Sequence, residues 1–465
     1  MSHPRRLAVL LIGLLVVAAA GVVGYSRYLK RDIESQLYIP RQVHMTPEIA
    51  LLQQYVRIDT SNPPGNETAG ARFLAGLLAK NGIRAEVIEP APGRGSVYAR
   101  IKGKHPHEGL LLLSHIDVVP APAQGWTRPP FAGTVFLNML YGRGTLDMKG
   151  IGICELEAFL DVAKSGRVPE RDIVFLAVAD EEQGGHLGTE WLLAHRPDLF
   201  EGVSYALNEG GITETREEKI SYVGIEIGTK LVVETRLRAR DRATMQRVRI
   251  ALEPFITPRD PERISPEVRL FFHEIAPLRR EQGRWLTDID ATIANGKFWL
   301  LERGYHELVQ NVIWLDGVRQ DDQGATMTVK LLNLPDENPD ARLAWLQRQV
   351  EPLGGTIEQI VAKSGPARLS PLKTPLFRLL AREAHRHLGN VPVGPEILAT
   401  SINDSRYLRA RGVIAYGIWP FPVDYYQTKG IHSINERVRL DWFIEGIDLT
   451  RGVVAGWAFE TEPGR

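Results

Sequence analysis

Residues 110–117 read Leu-Leu-Leu-Leu-Ser-His-Ile-Asp, four leucines that run straight into a histidine and an aspartate. An unbroken apolar run suits a strand buried on both faces, because a strand with one wet face would alternate. In the extended chain that follows, His115 and Asp117 point to one side, so one can bind a metal while the other orients it. Working outward, Ser96–Ile101 and Ile173–Ala179 are further apolar runs, and Gly150–Lys164 and Gly188–Ala194 carry apolar residues at helical spacing. Upstream, helical stretches at Leu51–Ile58 and Glu67–Lys80 flank the turn Asn62-Pro63-Pro64-Gly65. Strands separated by helices predict an α/β fold with a mostly parallel sheet.

The texture changes between Glu226 and Ala362. Arginine-rich amphipathic stretches (Arg242–Leu252, Asp340–Val350) accompany alternating strands (Lys230–Ala239, Ala325–Leu332), which predicts a smaller α+β insert over 226–362. The first α/β part then covers 46–225 and the second 363–465, with helix Thr374–Leu388, strand Gly412–Gly417 and helix Leu440–Glu460. Ahead of both, Leu7–Tyr25 is 19 uncharged residues behind Arg5 and Arg6. At 1.5 Å per residue it can cross a hydrocarbon core of about 30 Å, so residues 1–31 read as a signal anchor, or transmembrane segment, and linker. The globular part is then expected outside the cytoplasm, periplasmic or extracellular; cleavage near Ala18-Ala19-Ala20-Gly21, giving a secreted protein, is the alternative. The 56 basic and 56 acidic residues cancel, which argues against nucleic acid as a partner. A single cysteine, Cys154, excludes a disulfide scaffold and reads as a small buried hydrophobe.

Further acids and a second histidine occupy similar positions. Asp147 stands at the end of the glycine-rich turn Tyr141–Gly150, Asp180-Glu181-Glu182 follow an apolar strand, Glu209 lies in Asn-Glu-Gly-Gly, and His432 lies in Ile-His-Ser-Ile-Asn-Glu. Three adjacent carboxylates repel one another unless solvent or cations neutralise them. Taken singly, each residue has an ordinary explanation: a core histidine, a helix N-cap, a solvated acidic turn. Together, at strand ends where open α/β sheets bind ligands, they supply the imidazole and oxygen donors that two zinc-like ions about 3.5–4 Å apart require.

The segments LSHIDVVP (113–120), GRGTLDMKG (142–150), ADEEQGG (179–185) and GIHSINERV (430–438) jointly resemble the zinc aminoacylase/carboxypeptidase family, which includes carboxypeptidase S, Gly-X carboxypeptidase, succinyl-diaminopimelate desuccinylase and secreted N-acyl-amino-acid hydrolases. TSNPPG (60–65), WTRPPF (126–131) and NDSRY (403–407) are similar to its carboxypeptidase S-like branch. The resemblance implies a binuclear catalytic α/β domain interrupted by a lid, binding two Zn2+, with Co2+ or Mn2+ as alternatives. Asp147 would bridge the ions, His115 and Glu209 completing one and Glu182 and His432 the other. Asp117 would orient His115, and Glu181 would be the general base that carries a proton from water to the leaving amine. The implied substrate is a small peptide or N-acyl amino acid, cleaved at its amide bond.

The lid departs from that family. Its Gly-His-Ser-Ser-x-Pro segment, whose histidine stabilises the oxyanion, often across a dimer, is replaced here by Leu237–Ala243, which runs directly into a helix. The Asn-Val-Ile-Pro turn and the arginine that grip the substrate carboxylate are missing from Val318–Gly324 and Met327–Pro335, and Asn311-Val312-Ile313 reads as strand. Arg406, Lys330 or Arg319 could take over substrate binding, while His273 and His306 read as surface residues. Catalysis is expected not to need a partner subunit, although a homodimer could form through the lid, with Lys230–Ala239 as the candidate edge. The competing reading is a degenerate homologue that binds metal with little or no turnover.

Overall fold

The computed structural model describes residues 44–464, apart from 217–218, 257–260, 280, 364–367 and 429. The expected membrane segment, Leu7–Tyr25, lies outside the described residues; among those described, no helix is long and apolar enough to cross a membrane.

The leucine run forms the middle of the strand His105–His115. Leu110 to Leu113 are all essentially buried, Leu110 and Leu112 in the core cluster on one face and Leu111 and Leu113 in the cluster on the other. Parallel neighbours flank this strand, with Leu112 opposite Phe175 of Arg171–Val178 and opposite Leu207 of Val203–Gly211. Ile414–Ile418 extends the parallel centre beyond Val203–Gly211. The sheet expected to be mostly parallel is instead mixed. Ser96–Ile101 runs antiparallel to Arg171–Val178, and Lys219–Thr229 runs antiparallel to both Ile414–Ile418 and Thr213–Arg216. Apolar texture marks burial on both faces but carries no information about strand direction, which the connections decide.

Helices Lys149–Lys164 and Leu440–Phe459 pack on each other against one face of the sheet, burying Phe159, Val453 and Trp457. On the other face, Leu192 of Thr189–His195 and Leu408 of Ser405–Ala410 close the second cluster. The two layers of helices leave the C-terminal ends of the parallel strands open at one edge of the sandwich, where His115 and Glu209 stand.

The lid is a smaller antiparallel sheet ordered Val312–Leu315, Gly324–Asn333, Leu231–Ala239, Gly355–Lys363. Helices Arg242–Leu252 and Pro339–Val350 cover one side of it, setting Met245, Val248 and Leu346 against Val233, Leu237 and Val329. Leu231–Ala239, expected at an edge, is an interior strand paired on both sides. Its alternation (Glu234, Arg236, Arg238 against buried Val233, Thr235, Leu237) reports a wet face, and a wet face says nothing about neighbours in the plane. A fifth strand, Arg319–Asp321, also pairs with Gly324–Asn333, so the edges among the described strands are Val312–Leu315, Arg319–Asp321 and Gly355–Lys363.

Between the first lid helix and the lid's Val312–Leu315 strand lie, among the described residues, four short α-helices, Pro266–Ile275, Gly283–Thr287, Ile289–Ala294 and Arg303–Val309. Phe272, Ile275 and Val309 belong to the same core cluster as the large sheet, so this stretch packs on the α/β domain and not on the lid sheet.

Candidate metal centre

His115 closes its strand with the ring fully enclosed. Nδ1 lies 2.8 Å from the backbone carbonyl of Asp117 and 3.6 Å from its carboxylate, so the carbonyl is the hydrogen-bond acceptor. That bond leaves Nε2 facing the cleft, 3.0 Å from Asp147 Oδ1 and 3.8 Å from Glu209 Oε1. The other carboxylate oxygen of Asp147, Oδ2, lies 3.0 Å from Nε2 of His432, which is also 3.2 Å from Glu182 Oε2. One aspartate therefore faces two histidines, one through each oxygen. Donors from His115, Asp147 and Glu182 lie within 4.8 Å of one another, as do donors from His115, Glu181 and Glu209.

The Asp117 carboxylate stands beside the His115 ring and also holds a second element. It accepts the backbone N–H groups of Glu181 and Glu182, each at 3.1 Å, and the Asn62 amide at 2.9 Å. Asn62 also donates to Asp180 at 3.1 Å and accepts from Arg94, whose guanidinium reaches Asp180 at 2.5 Å and Glu67 at 2.7 Å. This buried network fixes the acid turn from behind. Burial, with the neighbouring Asp117, pushes the Glu67 carboxyl up to about 7. At the far end of the turn Gly185 has φ +76°, and a Cβ there would stand 2.6 Å from Asp404 Oδ1, so glycine lets the Asp404 loop close on the acids.

A second clamp holds Asp147. Glu436 accepts the backbone N–H of Leu146 at 2.8 Å and of Asp147 at 3.3 Å, and its other oxygen pairs with Arg143. The segments GRGTLDMKG and GIHSINERV are thus joined by Arg143 and Glu436, and the His432 turn is set beside Asp147 by that bond. Arg406 sits behind the acid turn, its guanidinium donating to the carbonyls of Gly184 at 2.7 Å and Asn403 at 3.1 Å and lying over the Tyr407 ring. Lys330 pairs with Glu234 at 2.9 Å on the lid, and Arg319 is exposed there. His273 is exposed beside Glu274, and His306 packs tilted against the Phe298 ring, centroids 4.7 Å apart.

The electrostatics favour added positive charge. Burial raises the carboxyls of Glu181, Glu182 and Glu209, and their acidic neighbours add to it. Burial would also raise Asp147, but its hydrogen bonds to His115 and His432 outweigh it and hold the group well below the usual carboxylate range. Burial works against the charged form of His432 too, yet Asp147 and Glu182 push that ring up to about 11. Four carboxylates crowd two imidazoles, and the two rings cannot balance them. Metal–ligand bonds of 2.0–2.2 Å place donors on one ion roughly 3.0–3.6 Å apart, and the separations of 3.0, 3.0 and 3.2 Å fit that, with the His115–Glu209 pair slightly wider. Oε1 of Glu182 is buried without a hydrogen-bond partner among the described residues, as a ligand oxygen awaiting a cation would be. These residues fit a pair of divalent ions.

A model of peptidase family M20/M25/M40 matches residues 111–455. The chain belongs to this family. Like other M20 members it is a metal-dependent hydrolase. It is 27% identical to mouse (Mus musculus) aminoacylase-1 over 434 residues, which is 90% of this chain and 97% of that one. Bovine (Bos taurus) N-fatty-acyl-amino acid synthase/hydrolase PM20D1 is 30% identical over 213 residues, 44% of this chain and 42% of that one. In three dimensions the chain resembles the M20 metallo-carboxypeptidase Sso-CP2 from Sulfolobus solfataricus, with a TM-score of 0.68 at 17% identity, over 88% of this chain and 99% of that one. The motifs that resemble the zinc aminoacylase/carboxypeptidase family, and the residue types at strand ends, point to His115, Asp147, Glu181, Glu182, Glu209 and His432, which the fold brings together. The supporting residues Asn62, Glu67, Arg94, Arg143 and Glu436 were missed as such. Asn62, Glu67, Arg143 and Glu436 lie inside or beside those motifs, which could have flagged them, whereas nothing in the sequence around Arg94 marks it.

Proposed function

We propose that the chain hydrolyses the amide bond of a small peptide or N-acyl amino acid at a site holding two divalent ions, Zn2+ by preference and Co2+ or Mn2+ as alternatives. The observation that carries this reading is the placement of Asp147, with one oxygen 3.0 Å from His115 and the other 3.0 Å from His432. On this reading Asp147 is the bridge, His115 and Glu209 complete one position, and Glu182 and His432 complete the other. Bound there, the ions would supply Lewis acidity and a water acidic enough to react at neutral pH. Asp117 holds the acid turn by its two backbone bonds, so that Glu181 and Glu182 keep fixed directions. Glu181 is the acid left for proton transfer. Its carboxylate has no hydrogen-bond partner among the described residues, and burial favours its protonated form, so it can take a proton and deliver it to the departing nitrogen. Its donor atoms also stand near His115 and Glu209, close enough to ligate, and metal content in a Glu181 variant separates the two roles.

A second reading, metal binding with little turnover, is favoured by one feature of the lid. Only Arg240 and Asp241 separate strand Leu231–Ala239 from helix Arg242–Leu252, leaving no loop that could reach the cleft. Removing one oxyanion donor costs about 10²–10³ in rate in hydrolases that use one. The test is a screen of N-acyl amino acids and dipeptides with metal-loaded protein, with and without a chelator. Turnover that the chelator abolishes and Zn2+ restores supports hydrolysis; no turnover of any member by protein holding two ions supports the second reading.

A further inference from the structure

We infer that a second pocket, apart from the metal centre, binds an organic ammonium ion with an apolar body. A cavity of about 320 Å³ lies between helices Pro266–Ile275 and Arg303–Val309 and the strand Val393–Leu398. Its apolar walls include Val268, Phe271 and Ile397; among the described residues no lysine or arginine lines it, whereas Glu267, Glu307 and Glu396 do. Oε2 of Glu396 accepts the backbone N–H of Ile212 at 2.9 Å, and Oε1 has no hydrogen-bond partner among the described residues.

The neighbouring strands show how this fold treats such a group. Glu214, Glu226 and Glu396 stand on three neighbouring strands of the large sheet. Glu214 meets Arg279 at 3.0 Å and Glu226 meets Arg409 at 2.6 Å, but among the described residues no cation comes within ion-pair distance of Glu396. Glu396 is half-buried in the cavity wall, and no cation among the described residues neutralises its carboxylate. Burial, with Glu214 and Glu226 adding like charge, pushes Glu396 up to about 7, so a substantial negative charge remains at neutral pH for a ligand to meet. A metal ion takes four or more donors, and among the described residues the carboxylates of this pocket do not gather within ligating distance of one another. An ammonium group needs only one such anchor, and the walls suit a hydrocarbon body.

The pocket adjoins the metal centre through two short segments. Ile212 lies three residues beyond Glu209, and the Thr400–Ser401 wall leads into Asn403, which donates to the Glu209 carbonyl at 2.9 Å. The ammonium could therefore come as a free amine or as an arm of the substrate. Recognition in the pocket rests on Glu396 and does not depend on the hydrolytic reading.

The test is titration calorimetry of the full metal-loaded chain with n-hexylammonium chloride against 1-hexanol. The charged probe should bind roughly ten- to a hundredfold more tightly than the alcohol, the range expected for a hydrogen bond to a charged group. Glu396→Gln should bring the two probes to near parity with an unchanged circular dichroism spectrum. Ala399 lines the cavity and is half-buried there, so Ala399→Phe adds bulk to the lining and should weaken binding of both probes. That second variant decides the matter if the first does not fold. Equal affinity for the two probes, a preference that survives Glu396→Gln, or binding of both probes unchanged by Ala399→Phe would each overturn the proposal. If the chain turns over N-acetylmethionine, competitive inhibition by hexylammonium assigns the ammonium to a substrate arm, and any other pattern assigns it to a free amine.

Discussion

Asp147 and Glu181 are both carboxylates in one cleft, yet their surroundings drive them apart. Asp147 meets two imidazoles and stays ionised, while Glu181 is enclosed without a hydrogen-bond partner and favours its proton. Environments that separate two acids in this way assign them different work, one to hold charge and one to exchange a proton. Glu181→Gln is therefore expected to keep the fold and the bound metal and to lower kcat by about 10²–10⁴, the usual range for a general base. Steady-state kinetics and metal analysis on the same preparation check this; unchanged kcat, or lost metal, removes Glu181 from the role. Residues of this kind were legible because imidazole and carboxylate at strand ends carry chemistry that few other positions need. Asn62, Arg94 and Glu436 were not, because their work is to hold another residue in place. Asn62 and Asp180 are 118 residues apart in sequence, and nothing local to either announces the bond between them.

Most elements were legible because their apolar period is strong. Ser96–Ile101, Glu67–Lys80 and Arg242–Leu252 coincide with their expected limits, and Gly150–Lys164 differs by one residue from the helix Lys149–Lys164. The helices between Pro266 and Val309 were missed because they are short and each buries a few residues at irregular spacing, too few for a period to stand out. The stretch Lys230–Ala239, expected as a candidate edge, contains the interior lid strand Leu231–Ala239. The two-residue connection at Arg240-Asp241 still gives no side chain a path into another subunit's cleft. Specific activity per chain should accordingly stay constant as the protein is diluted through any dimer–monomer transition. Measuring it on protein truncated after Tyr25 keeps the apolar N-terminal segment from influencing the result. Activity that collapses on dilution and returns when two differently inactivated chains are mixed would show a residue donated between subunits.

At the scale of the molecule, Lys230 joins the two sheets, between Lys219–Thr229 of the large one and Leu231–Ala239 of the lid. Its ammonium is buried and donates to the carbonyls of Glu307 and Gln310 at 2.6 and 2.7 Å, and burial pushes it down to about 7. The unfolded chain, with a lysine near 10.4, then binds more protons than the folded one between pH 7 and 10, so this group contributes stability that rises with pH across that window. Wild type should gain on Lys230→Met from pH 7.5 to 9.5, by up to about 1.4 kcal/mol per pH unit for one proton. Denaturation curves of both chains check the sign; a difference that stays flat or shrinks means the lysine folds charged. The shared metal bridge, on which the hydrolytic reading turns, is tested by the metal content of wild type and Asp147→Ala, read by plasma mass spectrometry after identical loading and dialysis. Two ions per chain in wild type, with both lost from the variant, is the expected result. Two ions still bound by Asp147→Ala would mean that Asp147 bridges nothing.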